Sequence, residues 1–124
     1  MGTTHHITMI VTSFDEKKLT RTRNKALKLL KKQNITRIIG EGINGYKSFV
    51  IVPNGSQAGW SSYVEHREGI LKLKEWIDET MPYEDGSTSV KYVISEFGEY
   101  GLQSTNDKGY DLDSNEVYPE SGAW

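Results

Sequence analysis

An Asn-Gly pair set between two β-branched runs constrains this chain more than any other feature. Residues 35–39 (ITRII) and 48–52 (SFVIV) flank Asn44-Gly45, and Asn-Gly suits the two positive-φ positions of a type I′ turn. The spacing predicts a β-hairpin over residues 35–52. With Asn44 and Gly45 as the whole loop, Ile43 faces Tyr46, Glu41 faces Ser48, Gly40 faces Phe49, Ile39 faces Val50 and Ile38 faces Ile51. Apolar pairs then stand on both faces of the ribbon, so both faces need cover.

The flanking segments supply two helices and two more strands. Residues 5–12 (HHITMIVT) alternate, with Ile7, Met9 and Val11 on one face and His6, Thr8, Ile10 and Thr12 on the other. Ser13 reads as an N-cap with Glu16 completing a capping box, and Asp15 adds charge at the positive end of the helix dipole. This helix is expected to reach about Gln33. Ser62 and Glu65 form a second capping box, after which Tyr63, Ile70, Leu73, Ile77 and Met81 recur at helical spacing until Pro82. Gly69 inside that helix costs about 1 kcal/mol relative to alanine, which points to close packing against another backbone. A last strand is expected over residues 89–97, with Val90, Tyr92 and Ile94 on one face.

The resulting β-α-β-β-α-β order is that of α+β ferredoxin-like domains, a four-stranded antiparallel sheet with both helices on one face. We expect one such domain over residues 1–100 and an acidic, extended or disordered tail over residues 101–124. The tail holds five acids against Lys108, whereas residues 15–33 hold eight bases against Asp15 and Glu16, inside a net charge of −2. The open sheet face must be covered, either by a second copy in a homodimer or by the tail with Tyr110, Leu112, Tyr118 and Trp124. Cysteine is absent, so no disulfide framework or thiolate chemistry is available. There is no secretory layout at the N-terminus and no long apolar run, so a cytoplasmic protein with no membrane partner is expected.

Few residues suggest chemistry. His6-x-Thr8 matches one element of a two-histidine phosphoesterase, but the second element is missing, since His66 is followed by Arg67-Glu68 on a helix. No metal-ligand spacing links His5, His6 and His66, and no cofactor motif occurs. The lysine-rich helix face could contact phosphates or be simply solvated. Residues 46–52 keep the Phe-Val of an RNA-binding strand but lose its glycine and two aromatic positions, so nucleic acid is not expected as a partner. The loop NGSQAGWS over residues 54–61 opens onto a helix N-terminus whose amides could receive an anion, with Trp60 beside it.

The run GYKSFVIVPNGSQAGW and the later YEDGSTSVKYVISEFGEYG resemble small proteins of unassigned function from tailed bacteriophages, in which a P-[DN]-G-S-x-x-G-W loop and a Y-E-D-G-S turn recur. The resemblance covers roughly residues 45–101 and implies an origin, with no catalytic residues to carry over. Together these features point to a non-enzymatic phage protein that blocks or sequesters a host or defence component, either a protein or a small nucleotide signal. Trp60, Tyr46, Lys47 and Tyr92 are the expected contact residues, with Arg21, Lys25, Lys28 and Lys32 as an electrostatic rim. The alternative is a small phosphodiesterase using His6 and Thr8.

Overall fold

The computed structural model describes residues 5–57 and 59–98, with the backbone of 101–102 and 113–114. Strand β1 (His5–Ser13), helix α1 (Glu16–Leu29), strand β2 (Lys47–Ile51), helix α2 (Ser61–Thr80) and strand β3 (Lys91–Gly98) follow in chain order. The strands form an antiparallel sheet in the order β2-β1-β3. Two-residue strands β4 (Gly101–Leu102) and β5 (Asp113–Ser114) pair with β3 through their backbones. The rest of the tail lies outside the described residues.

Alternation sets the two faces. Ile7, Met9 and Val11 of β1, Phe49 and Ile51 of β2, and Tyr92 and Ile94 of β3 are buried beneath the helices. Leu19 and Ala26 of α1 and Ile70, Leu73 and Ile77 of α2 close the same core, which places both helices on one side of the sheet. Gly69 lies where the helices approach. A Cβ built there would stand 2.6 Å from Leu30 Cδ2 and 2.9 Å from the Leu29 carbonyl oxygen, so the glycine is a packing requirement, as its position in the sequence suggests. On the opposite face Val50, Ile10 and Val93 lie in register across the three strands, and Ile10 is 44% exposed.

The hairpin takes a different course from the expected one. Its first leg is not a continuous strand: residues 35–39 form isolated bridges to β2, Ile35↔Ile51 and Ile39↔Ser48, with one further backbone bond from the Thr36 N–H to the Val50 carbonyl at 2.9 Å. Ile39 and Ser48 exchange both backbone bonds, at 2.7 and 2.9 Å, so Ile39 faces Ser48 and not Val50. Asn44 and Gly45 do adopt positive φ, 54° and 80°, but inside a 3-10 turn over Ile43–Gly45 that is preceded by Gly40 and Gly42, both also positive. These glycines permit a longer loop than a tight turn. The Thr36 carbonyl leaves the ladder for a tertiary reason. Arg23 of α1 donates Nε–H to it (2.8 Å), and the Thr36 side-chain oxygen accepts the Val50 N–H (2.9 Å).

Both expected capping boxes are also corrected. Asp15 is the N-cap of α1, accepting the Lys18 N–H at 3.2 Å. Ser13 is the last residue of β1, and its hydroxyl accepts the Asp15 N–H at 2.9 Å. The Lys18 amide, helped by the Tyr83 hydroxyl and the Lys18 charge, holds the Asp15 carboxyl below its ordinary value. Helix α1 ends at Leu29, and a separate 3-10 turn, Lys32–Asn34, carries the chain to the sheet edge. Helix α2 starts after Trp60 with no side-chain cap, because the Ser62 hydroxyl pairs with Ser56 Oγ at 2.7 Å.

Candidate functional site

The expected contact residues do not converge. Lys47 pairs with Ser13 at one end of β1, whereas the loop leading to Trp60 meets the other end, where His5 N–H donates to the Ser56 carbonyl. The nine residues of β1 separate these ends by about 26 Å at roughly 3.3 Å per step. Tyr46 (46% exposed) stacks edge-on against Phe14, with ring centroids 5.7 Å apart, while Trp60 stands exposed at the far end. Tyr92 is not a surface residue. It is 3% exposed on the helix side of β3, and its hydroxyl donates to Asp78 Oδ1 at 2.8 Å.

The basic stripe divides in the same way. Arg21 lies beside a shallow surface depression with Glu16, Lys17 and Thr20, and Lys25 is half-buried along the middle of α1. Lys28 stands at the C-terminal end of α1, and Lys32 opens the 3-10 turn beyond it. That end of α1 faces the N-terminal half of α2, and the two enclose a cleft with two lobes. The inner lobe, about 260 Å³, is lined by Lys28, Leu29, Leu30, Lys31, Asn34, Asn54, Ser62, Glu65 and His66. The outer lobe, about 390 Å³, shares Lys31, Asn34, Asn54 and Ser62 with it and adds Gln33, Gly55, Ser56 and Trp60.

Local chemistry shapes this cleft. Asn54 Nδ2 donates to the Ser62 carbonyl (3.0 Å) and Asn54 Oδ1 accepts the Ser56 N–H (3.1 Å), which fastens the loop to the first turn of α2. That turn contains no acidic residue and no side-chain cap, so the positive end of a twenty-residue helix dipole faces the cleft uncompensated. Lys28 and Lys31 form no salt bridge among the described residues. His66, at 5% exposure, lies in the wall of the inner lobe, and its Nε2 is buried without a hydrogen-bond partner. Burial pushes the His66 imidazole below its ordinary value, partly offset by the backbone of Val52 and Ile7.

This shift makes stability depend on pH. The unfolded chain takes up the His66 proton near the ordinary value of 6.5, while the folded state resists it until lower pH. Stability is therefore full above that value and falls as the pH drops through the window between the two, by at most about 1.4 kcal/mol per pH unit. Urea titrations between pH 8 and pH 5 are expected to show that slope in the parent and to lose it in His66→Gln. An equal slope in both would assign the protonation elsewhere.

His6 and Thr8 do not assemble a hydrolytic pair. Their side chains lie on the open face of the sheet, where His6 packs on Phe97 (centroids 5.0 Å apart) and the Thr8 hydroxyl donates to the Ile51 carbonyl at 2.7 Å. His66 is on the helix side, so the sheet separates the two imidazoles. Among the described residues no cluster of three metal-ligating side chains forms, and no helix is long and apolar enough to cross a membrane. Of the cleft residues, the loop and Trp60 are legible in the sequence as an anion-receiving turn. Lys31, Asn34 and His66 are not, because they reach the cleft through the crossing of the helices. No protein-family model, characterised protein or solved structure matches the chain.

Proposed function

We propose that this chain is a non-enzymatic binding protein of tailed-phage origin that captures a small host or defence molecule in the cleft between α1 and α2. The observation that carries this reading is the pairing of an uncapped helix N-terminus with two lysines that form no salt bridge among the described residues and an exposed tryptophan around one concave site. A ferredoxin-like scaffold suits it. The strand order β3-β1-β2, with residues 34–39 and 52 bonded along the far edge of β2, is compatible with the split β-α-β plan. Such a sheet holds both helices in one layer, and the cleft lies between their ends.

A protein target is the second reading, favoured by a different surface. Phe14 (51% exposed), Ile43 (68%) and Tyr46 gather at the opposite end of the sheet as an exposed apolar group. Native mass spectrometry of the protein purified from infected cells separates the two. A small-molecule adduct that is lost on denaturation and recovered chemically intact is the expected result. A co-purifying host protein that Tyr46→Ala releases would overturn it in favour of the protein target. Recovery of a cleaved product whose formation His6→Ala abolishes would make the chain an enzyme.

A further inference from the structure

The two lobes of the cleft differ in chemistry, and the difference specifies a ligand. The inner lobe gathers Lys28 and Lys31, the first turn of α2 at Ser62, and His66 with its unpartnered Nε2. Among the described residues Glu65 is the only acid lining it, and Glu65 is exposed. His66, 5% exposed, forms part of its inner wall. The outer lobe has one lysine, Lys31, together with the side-chain amides of Gln33, Asn34 and Asn54, and it carries the Trp60 ring, 52% exposed. Charge and donors are thus concentrated inside, and a flat aromatic surface with amide groups stands at the mouth.

We propose that the ligand is a mononucleotide bound phosphate-first, with its terminal phosphate in the inner lobe between Lys28, Lys31 and the N-terminus of α2, and its base stacked on Trp60 in the outer lobe. Several independent requirements meet in this arrangement. A phosphate satisfies ammonium groups and helix-terminal amides together. His66 in the lobe wall has its Nε2 buried without a partner, a polar atom that a phosphate or ribose hydroxyl would satisfy once the wall shifts to admit the ligand. A base gains stacking on an exposed indole, with the amides of Gln33 and Asn34 available to its edge. The inner lobe, the smaller of the two, is bounded on one side by Leu29, Leu30 and His66, and a terminal phosphate fits against that wall more readily than a phosphodiester whose chain must continue past it.

This inference rests on the capture reading, and its test distinguishes the two. The intact protein, stripped of adduct by denaturation and refolding, is titrated calorimetrically with AMP, GMP, CMP and UMP, with adenosine, and with the dinucleotide ApA. At least one mononucleotide is expected to bind. Loss of the phosphate, or the double substitution Lys28→Ala/Lys31→Ala, is expected to weaken that binding roughly tenfold to hundredfold. Trp60→Ala is expected to weaken mononucleotide and nucleoside alike, by roughly fivefold or more. If the nucleoside binds as tightly as its monophosphate, or if ApA binds better, the phosphate-first orientation is wrong. If a small-molecule adduct co-purifies but no mononucleotide binds, the ligand class is wrong and the capture reading stands. If neither adduct nor binding is found, both are wrong.

Discussion

Replacing Gly69 with valine is expected to destabilise the protein by about 3 kcal/mol, and even alanine should cost about 1 kcal/mol. The alanine case is informative because two effects oppose each other. An alanine in the middle of a helix gains about 1 kcal/mol over glycine in propensity. Against this, its Cβ would stand 2.6 Å from Leu30 Cδ2 and 2.9 Å from the Leu29 carbonyl oxygen. The leucine methyl can swing aside, but the carbonyl belongs to the last turn of α1 and moves only if the helix end moves. Overpacking of this kind costs about 1–3 kcal/mol, so the clash outweighs the propensity gain. The midpoint of urea unfolding decides it, read at constant slope. An alanine variant more stable than the parent would mean that the helices have room to spare. Displacing the end of α1 would also move Lys28 and Lys31 away from Ser62, so the same variants are expected to weaken the proposed mononucleotide binding beyond what their loss of stability explains.

Gly69 illustrates which parts of this molecule could be read from the chain. A glycine inside an otherwise periodic helix announces a close approach, and β1 announces itself by strict alternation; both are local signals. The first leg of the hairpin fails to form as a strand for a reason that is not local, since Arg23 takes the Thr36 carbonyl from a helix laid across the edge. The cap of α1 was ambiguous because Ser13 and Asp15 are both good capping residues; the hydroxyl of Ser13 went to the Asp15 amide, and the carboxylate took the cap. Tyr92 was correctly grouped with Val90 and Ile94, but a strand does not say which of its faces meets the helices. Trp60 and Tyr46 are near neighbours along the chain, yet β2 runs along the sheet between them. The cleft itself depends on where two helices end against each other, and only its loop wall, Asn54 to Trp60, carried a signal of its own.

The buried face of β3 contains one charged residue, and its neutralisation yields the other large effect. Glu96 follows Tyr92 and Ile94 on the helix side of the strand and is 8% exposed. Arg67 of α2 donates Nε–H to its Oε1 at 2.6 Å, and the Tyr63 hydroxyl beside both is raised above its ordinary value by burial and then by the Glu96 charge. Removing the guanidinium by Arg67→Met leaves a carboxylate in an apolar setting. Breaking a fully buried pair costs about 3–5 kcal/mol; because the Arg67 side chain is 39% exposed, water relieves part of this, and we expect about 2–3 kcal/mol. Glu96→Leu should cost less, since the Arg67 side chain is already 39% exposed and its charge stays solvated, and the double substitution Arg67→Met/Glu96→Leu should return close to the parent. A double-mutant cycle by urea unfolding at pH 7 tests this. Equal losses in the two single variants would show that the pair is solvated and that α2 is held to β3 by apolar packing alone.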